Sequence, residues 1–472
     1  MRKGLVVLVA AVLVVAFAAP AMADLKVTGF YRAKGVVSNF FNATSGGSFV
    51  QLVQRQHDDS SAYTEQRFRI KFDAGTEVAR AIINFESDMN WGYNNPAGSP
   101  GAGRNSGGAL SADAVQLETK EAYLWFKVPD TSITSTVGMQ MVNDHYAGIF
   151  ANNARMASVF VNGEFEPVKW TLGWGKLFEN NYNRTDDADM YLGSVQFAPS
   201  KDMSLGVNLY YLKDDSGKFA GTQGLGIANH TVDLYMPGVN FAMNAGAAKI
   251  SAFAFYQTGR ASESNGATNS WNISAYAADL RADVKAGPGN LFVEGFYISG
   301  EDASDFTAGN RHTYRSPITL GDYTDGLANA NSGFTRTHMY FMFGFENQNV
   351  NQCIIGCSAP VLSQSYGNAG NGLWHVAAGY SQKFSEKIKG EFNVGYLSAV
   401  DSDRKNGYRN QSIGTEANAR VDYTISKGLD LSLIGAYLNA GGYLLHDNAQ
   451  GVDIADAQRN YYMLTTRISF NF

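Results

Sequence analysis

The chain has 472 residues, of which 17% are charged, 13% are aromatic and 50 are glycine, a balance that suits strands and turns better than soluble helices. Acidic side chains outnumber basic ones, 43 to 37, so the basic footprint of a nucleic-acid binder is missing. Beyond the N-terminal segment no apolar run is long enough for a transmembrane helix, which excludes a helical membrane protein.

Arg2 and Lys3 form a basic start, Leu5 to Ala19 an apolar stretch, and Ala21-Met22-Ala23 a small-x-small cleavage site. This is the pattern of a secretory signal peptide over 1–23. The mature chain is then a single β-barrel domain over 24–472. Losing Arg2 and Lys3 leaves 35 basic against 43 acidic side chains, a formal charge of −8.

From residue 25 onward, side chains alternate with a period of two, the spacing that sends neighbours to opposite faces of a strand. In 25–37 the odd face is Leu25, Val27, Gly29, Tyr31, Ala33, Gly35 and Val37, and the even face includes Lys26, Thr28, Arg32 and Lys34. In 64–74 the even face is Thr64, Gln66, Phe68, Ile70, Phe72 and Ala74, against Glu65, Arg67, Arg69, Lys71 and Asp73. The next strand carries Arg80, Glu86 and Asp88. Near the end, Ile413, Thr415, Ala417, Ala419, Val421, Tyr423 and Ile425 oppose Glu416, Asn418, Arg420 and Asp422. The last segment sets Tyr462, Leu464, Thr466, Ile468, Phe470 and Phe472 against Tyr461, Met463, Thr465, Arg467, Ser469 and Asn471. One lipid-compatible face and one polar face on every strand is the signature of a transmembrane β-barrel.

The spacing predicts strands over 25–37, 63–74, 77–89, 116–128, 132–142, 157–163, 168–178, 189–198, 203–212, 230–245, 249–260, 271–285, 290–299, 374–384, 387–400, 412–425, 428–441 and 460–472. The fold class is therefore all-β, an antiparallel barrel of about eighteen strands. Sixteen is the alternative if 157–163 and 168–178 are misread. Short turns such as 199–202, 287–289 and 426–428 alternate with long polar stretches around 39–62, 90–114, 143–156, 179–188, 213–229, 261–270, 300–335, 401–411 and 443–459. Short turns then mark the periplasmic rim and long loops the outside of the cell. Thr335–Glu346 also alternates and belongs to a structured outer loop with Cys353 and Cys357, a pair expected to form a local disulfide in an oxidising compartment. Trp91, Tyr93, Trp125, Trp170, Trp174, Trp271 and Trp374 fall toward strand ends, as interfacial girdles do.

The polar faces point into a water-filled lumen. Lys26, Arg32, Lys34, Arg67, Arg69, Lys71, Arg80, Glu86, Glu416, Arg420, Asp422 and Arg467 are the expected pore-lining residues. Because the last strand must pair with the first, their cations form a contiguous patch able to select small ions. Acidic side chains concentrate in the loops. Asp401-Ser-Asp-Arg-Lys-Asn-Gly407 is out of step with a calcium loop and reads as solvated. His57, His145, His230, His312, His338, His375 and His446 lie in no Ser–His strand motif, so no catalytic residue is assigned. The Gly-rich 98–108 stretch lacks the context of a phosphate-binding loop. No cofactor or metal is expected.

The segment Glu121-Ala-Tyr-Leu-Trp-Phe-Lys-Val-Pro-Asp-Thr-Ser-Ile-Thr-Ser-Thr-Val-Gly-Met139 resembles the fourth and fifth strands of Gram-negative porins, and the layout of the whole mature chain is similar to theirs. The ending on Phe472 resembles the signature read by the barrel-assembly machinery. The resemblance implies passive diffusion of small hydrophilic solutes across the bacterial outer membrane, outer-membrane lipid as surroundings, and a homotrimer. With the basic patch, a mild anion preference is expected. The Pro-Glu-Phe-Gly-Gly constriction motif of enterobacterial porins is missing; the third outer loop, 143–156, is the candidate constriction loop, with Asp144, His145 and Arg155. A substrate-specific channel for a sugar, a carboxylate or an acidic polysaccharide, and a closed structural or adhesive barrel, are the alternatives.

Overall fold

Period-two alternation has one stable outcome in a membrane, a sheet closed on itself so that no backbone group is left unpaired in hydrocarbon. The computed structural model describes residues 24–40, 60–92, 108, 110, 117–179, 181–217, 230–263, 270–301, 313–323, 334, 336–345, 353–355, 360–363, 370–400, 410–447, 452–453 and 459–472. The expected signal segment 1–23, Tyr93, Cys357 and the 401–407 stretch lie outside them.

The wall opens with β1 (Asp24–Ser38), β2 (Ser61–Gly75), β3 (Ala79–Asn90), β4 (Glu118–Lys127), β5 (Thr134–Val142) and β6 (Ala154–Phe165). It continues with β7 (Val168–Phe178), β8 (Ala188–Ser200), β9 (Met203–Asp214), β10 (His230–Ala245), β11 (Ala248–Glu263) and β12 (Ser270–Ala286). It ends with β13 (Gly289–Ile298), β14 (Leu373–Lys383), β15 (Ile388–Ala399), β16 (Ser412–Ser426), β17 (Leu429–Ala440) and β18 (Asn460–Asn471). Each pairs antiparallel with its neighbours, and β18 pairs with β1, so the eighteen strands form a closed barrel. At the seam Phe472 and Gly29 exchange both backbone hydrogen bonds at 3.0 Å.

Burial separates the two faces. On β18, Leu464 is 49% exposed while Met463 beside it is 9% exposed. The lipid-facing set runs through Leu25, Val27 and Val37 on β1 to Leu431 and Leu433 on β17. Connections alternate as expected: two to six residues on one rim, the long loops on the other.

Three expectations about faces are corrected. Ile413 was expected on the lipid face of β16 but is fully buried, because a register shift between Leu397 and Ser398 of β15 breaks the alternation there. Trp125 pairs with Arg80, on the inner side of β3, and Trp271 is buried in the interior cluster, so neither belongs to the girdle. Trp174 and Trp374 do face outward, level with Tyr191, Tyr211, Tyr235, Tyr276, Tyr297 and Tyr396.

The interior is partly filled by two outer loops. In the third (143–153), Tyr146, Ile149 and Phe150 are buried against the inner wall. Tyr146 packs on Tyr210, Phe253 and Phe255 at ring separations of 5.8, 5.7 and 4.9 Å. In the seventh (299–372), the run Met339-Tyr340-Phe341-Met342-Phe343 is buried together with Ile354 and Ile355. The described part of the alternating stretch, 336–345, is thus a loop in sequence but an interior element in space.

Candidate functional site

The inner wall of β1–β4 carries most of the expected pore-lining residues, and strand register places a carboxylate beside nearly every cation. Lys34 Nζ lies 2.5 Å from Glu65 Oε1. Arg67 forms a fork with Asp88, Nε to Oδ1 at 2.6 Å and Nη2 to Oδ2 at 2.5 Å, the bidentate geometry that makes such pairs strong. Arg69 donates to Glu86, Lys71 stands 3.8 Å from Glu121, and Arg80 Nε lies 2.6 Å from Asp73. Successive rungs are two residues apart on β2, so the five rungs span roughly 27 Å along the strand. Arg32 lies over the ring of Phe30 at 5.4 Å, and Lys26 is exposed near the short-turn rim. The expected cationic patch is a ladder of ion pairs.

Lys120 is the residue that sequence reading missed. A register shift between Asn84 and Phe85 of β3 lets both Lys120 and Glu121 point inward from β4. Lys120 Nζ reaches Glu86 Oε1 at 2.6 Å and also pairs with Glu118. Glu86, fully buried, therefore meets Arg67, Arg69 and Lys120 at once. Glu86, Asp88 and Glu118 lie close enough to hold a metal ion, but these three cations already supply the compensating charge.

On β16–β18 the pattern repeats on a smaller scale. Arg420 Nε lies 2.8 Å from Asp422 Oδ1, Arg467 Nη2 stands 3.8 Å from the same oxygen, and Ser432 Oγ donates to it at 2.6 Å. Lys383, Lys387, Lys389, Arg420 and Arg467 line a cavity of about 280 Å³ at the short-turn end, with Glu386, Asp422 and Asp430.

Glu416 does something else. Its carboxylate accepts the backbone N–H groups of Tyr340, Phe341 and Met342 at 2.7, 3.1 and 2.9 Å, which fixes the seventh loop to the wall. Asn418 Nδ2 adds a bond to the His338 carbonyl at 2.8 Å. Gln257 on β11 grips the same loop twice, donating to the Ile318 carbonyl at 2.7 Å and accepting from its N–H at 2.8 Å.

In the third loop, Asp144 accepts four backbone N–H groups, from Tyr146, Gly148, Phe150 and Ala151, at 2.7–2.9 Å. Burial pushes its carboxyl above the ordinary aspartate value despite these bonds. His145 Nδ1 lies 2.7 Å from Tyr210 Oη and Nε2 lies 3.3 Å from Ser194 Oγ, and burial lowers its imidazole below the usual value. Leu320 N–H donates to the Phe150 carbonyl at 2.9 Å, joining the two inward loops. Arg155 opens β6 within electrostatic reach of Arg67, Arg69, Glu86 and Glu121. Cys353 is disulfide-bonded.

Residues 168–461 match the model of a porin subfamily. The chain belongs to the porin family. No curated protein matches the porin's sequence. Among solved structures, Pseudomonas aeruginosa OccK8 (OprE) superposes with a TM-score of 0.54 at 10% identity, covering 95% of this porin and 98% of that chain. Acinetobacter baumannii OccAB1 superposes with a TM-score of 0.53 at 12% identity, over 95% and 97% of the two chains. Acinetobacter baumannii OccAB4 gives 0.52 at 10% identity, over 96% and 100%. At these identities the likeness is one of fold. The porin is an outer-membrane channel for the diffusion of small solutes. On the inner faces of β8–β10, Asn208 Nδ2 donates to Asn240 Oδ1 at 2.8 Å, and Ser194 Oγ to Asn208 Oδ1 at 2.7 Å.

Proposed function

We propose that this porin passes small hydrophilic solutes with a mild preference for anions. The observation that carries the preference is the cavity at the short-turn end, where five cations face three carboxylates. An excess of one sign inside low-dielectric walls raises the local concentration of the opposite ion. Reversal potentials of the purified porin in a planar bilayer under a KCl gradient test this; chloride is expected to be the more permeant ion, and a potassium preference rejects it.

A substrate-selective channel is the second reading, favoured by the two inward loops that fill part of the interior. Saturable block of conductance by one solute, absent for others of equal size, supports it. The porin acts without catalysis and without a cofactor on either reading.

The assembly we propose is a homotrimer, in line with the family resemblance. The outward residues of β5 and β6 near the outer rim, Met139, Met141 and Ala157, and Ala417 and Ala419 on β16, are flexible or small, which permits close contact between barrels. Light scattering in detergent reports the copy number. Delivery by the barrel-assembly machinery through the strand ending at Phe472, and a Cys353–Cys357 bridge, complete the reading.

A further inference from the structure

Arg155 stands apart from the other interior cations. The ion-paired groups on the inner faces of β1–β4 balance, with Lys34, Arg67, Arg69, Lys71 and Lys120 set against Glu65, Glu86, Asp88, Glu118 and Glu121. Arg155 reaches this group from a different element. It follows the third loop directly, after Asn153, whose φ of 51° turns the chain from loop into β6. Its Nη1 donates to the Asn153 carbonyl at 3.1 Å, which holds the guanidinium back at its own strand.

The charges that act on it are Arg69, Glu86, Glu121 and Arg67. Both carboxylates already have their own cations, Arg67, Arg69 and Lys120 for Glu86 and Lys71 for Glu121. Among the described residues no carboxylate forms an ion pair with Arg155, and its Nε has no hydrogen-bond partner. A half-buried guanidinium beside a neutralised network contributes a net positive field that the network does not cancel. Among the described residues the third loop packs on β9 and β11 and the seventh on β11 and β16, so the side toward β2–β6 is bounded by charged side chains instead.

We infer that Arg155 is the specificity-determining residue of the outer half of the channel, the uncompensated cation that draws small anions past a ladder whose own charges cancel. The inference deepens the anion-preferring reading and rests on it. In a narrow aqueous passage one fixed charge shifts ion selectivity because few mobile ions screen it there.

The experiment is the chloride-to-potassium permeability ratio, from reversal potentials, of R155Q, R155K and R155E in planar bilayers. Each variant is first checked for heat-modifiable migration as a folded barrel. R155Q is expected to lower the ratio roughly threefold, R155K to keep it, and R155E to bring it below that of R155Q. K169Q, an exposed lysine at the short-turn rim, serves as the control that leaves it unchanged. An unaltered ratio in folded R155Q overturns the inference. If the wild-type porin prefers potassium, the anion-preferring reading falls, yet a lower ratio in R155Q still assigns the selectivity to Arg155. Should R155E fail to fold, the R155Q and R155K pair decides.

Discussion

Glu86 shows how much one buried carboxylate governs at this wall. It has no exposed surface and touches Arg67, Arg69 and Lys120. Removing one partner of a buried charge network leaves the others uncompensated, which costs about 3–5 kcal/mol. E86A is expected to lower the free energy of unfolding in urea by that much and to raise the chloride-to-potassium ratio, since three cations lose their shared partner. His145 yields a pH prediction of definite sign. Burial holds its imidazole below the ordinary value, so the folded porin binds fewer protons there than the unfolded chain. That contribution is fully present above the unfolded imidazole value of about 6.5 and is lost as pH falls below it. Single-channel records should therefore become noisier as pH falls below the unfolded imidazole value of about 6.5, and H145Q should remove this pH dependence.

At the scale of the element, the strands were legible because alternation survives in each of them; the packing inside the barrel was not. The eighteen strand positions, the two rims and the faces of Lys34, Arg67, Arg69 and Arg467 follow from the period alone. Lys120 and Ile413 escape it because each sits beside a register shift, and one extra residue in a strand flips every side chain beyond it. The seventh loop escaped for another reason. Its run Met339 to Phe343 is apolar where a solvent-facing loop would be polar, but nothing in the spacing says that it folds back into the barrel. Glu416 looked like one more pore-lining acid, whereas its oxygens are occupied by three backbone N–H groups of that loop. E416A leaves those donors without their acceptor, at about 1–3 kcal/mol each for buried groups. The expected result is a folded barrel with a mobile seventh loop, seen as larger and more variable conductance steps; unchanged steps would show that the latch is redundant with Gln257.

For the whole molecule the decisive contact is the seam between β1 and β18. Gly29 sits between β2 and the chain end, where a β-carbon would stand 2.2 Å from the Arg69 carbonyl oxygen and 2.8 Å from the Phe472 ring. G29A is expected to force β1 away from both neighbours and to lower the temperature at which the folded band disappears from a gel. The seam joins residues 424 apart in sequence, as in the bond from Ser38 Oγ to the Tyr462 carbonyl. Loops that long close slowly, because chain entropy is spent before the contact repays it. Until then β1 presents an unpaired edge, ready to accept any strand of matching polarity. The barrel is thus a ring fastened by a single late clasp, and its most dangerous moment comes just before completion, when two identical half-finished chains can each offer the other the edge it is waiting for.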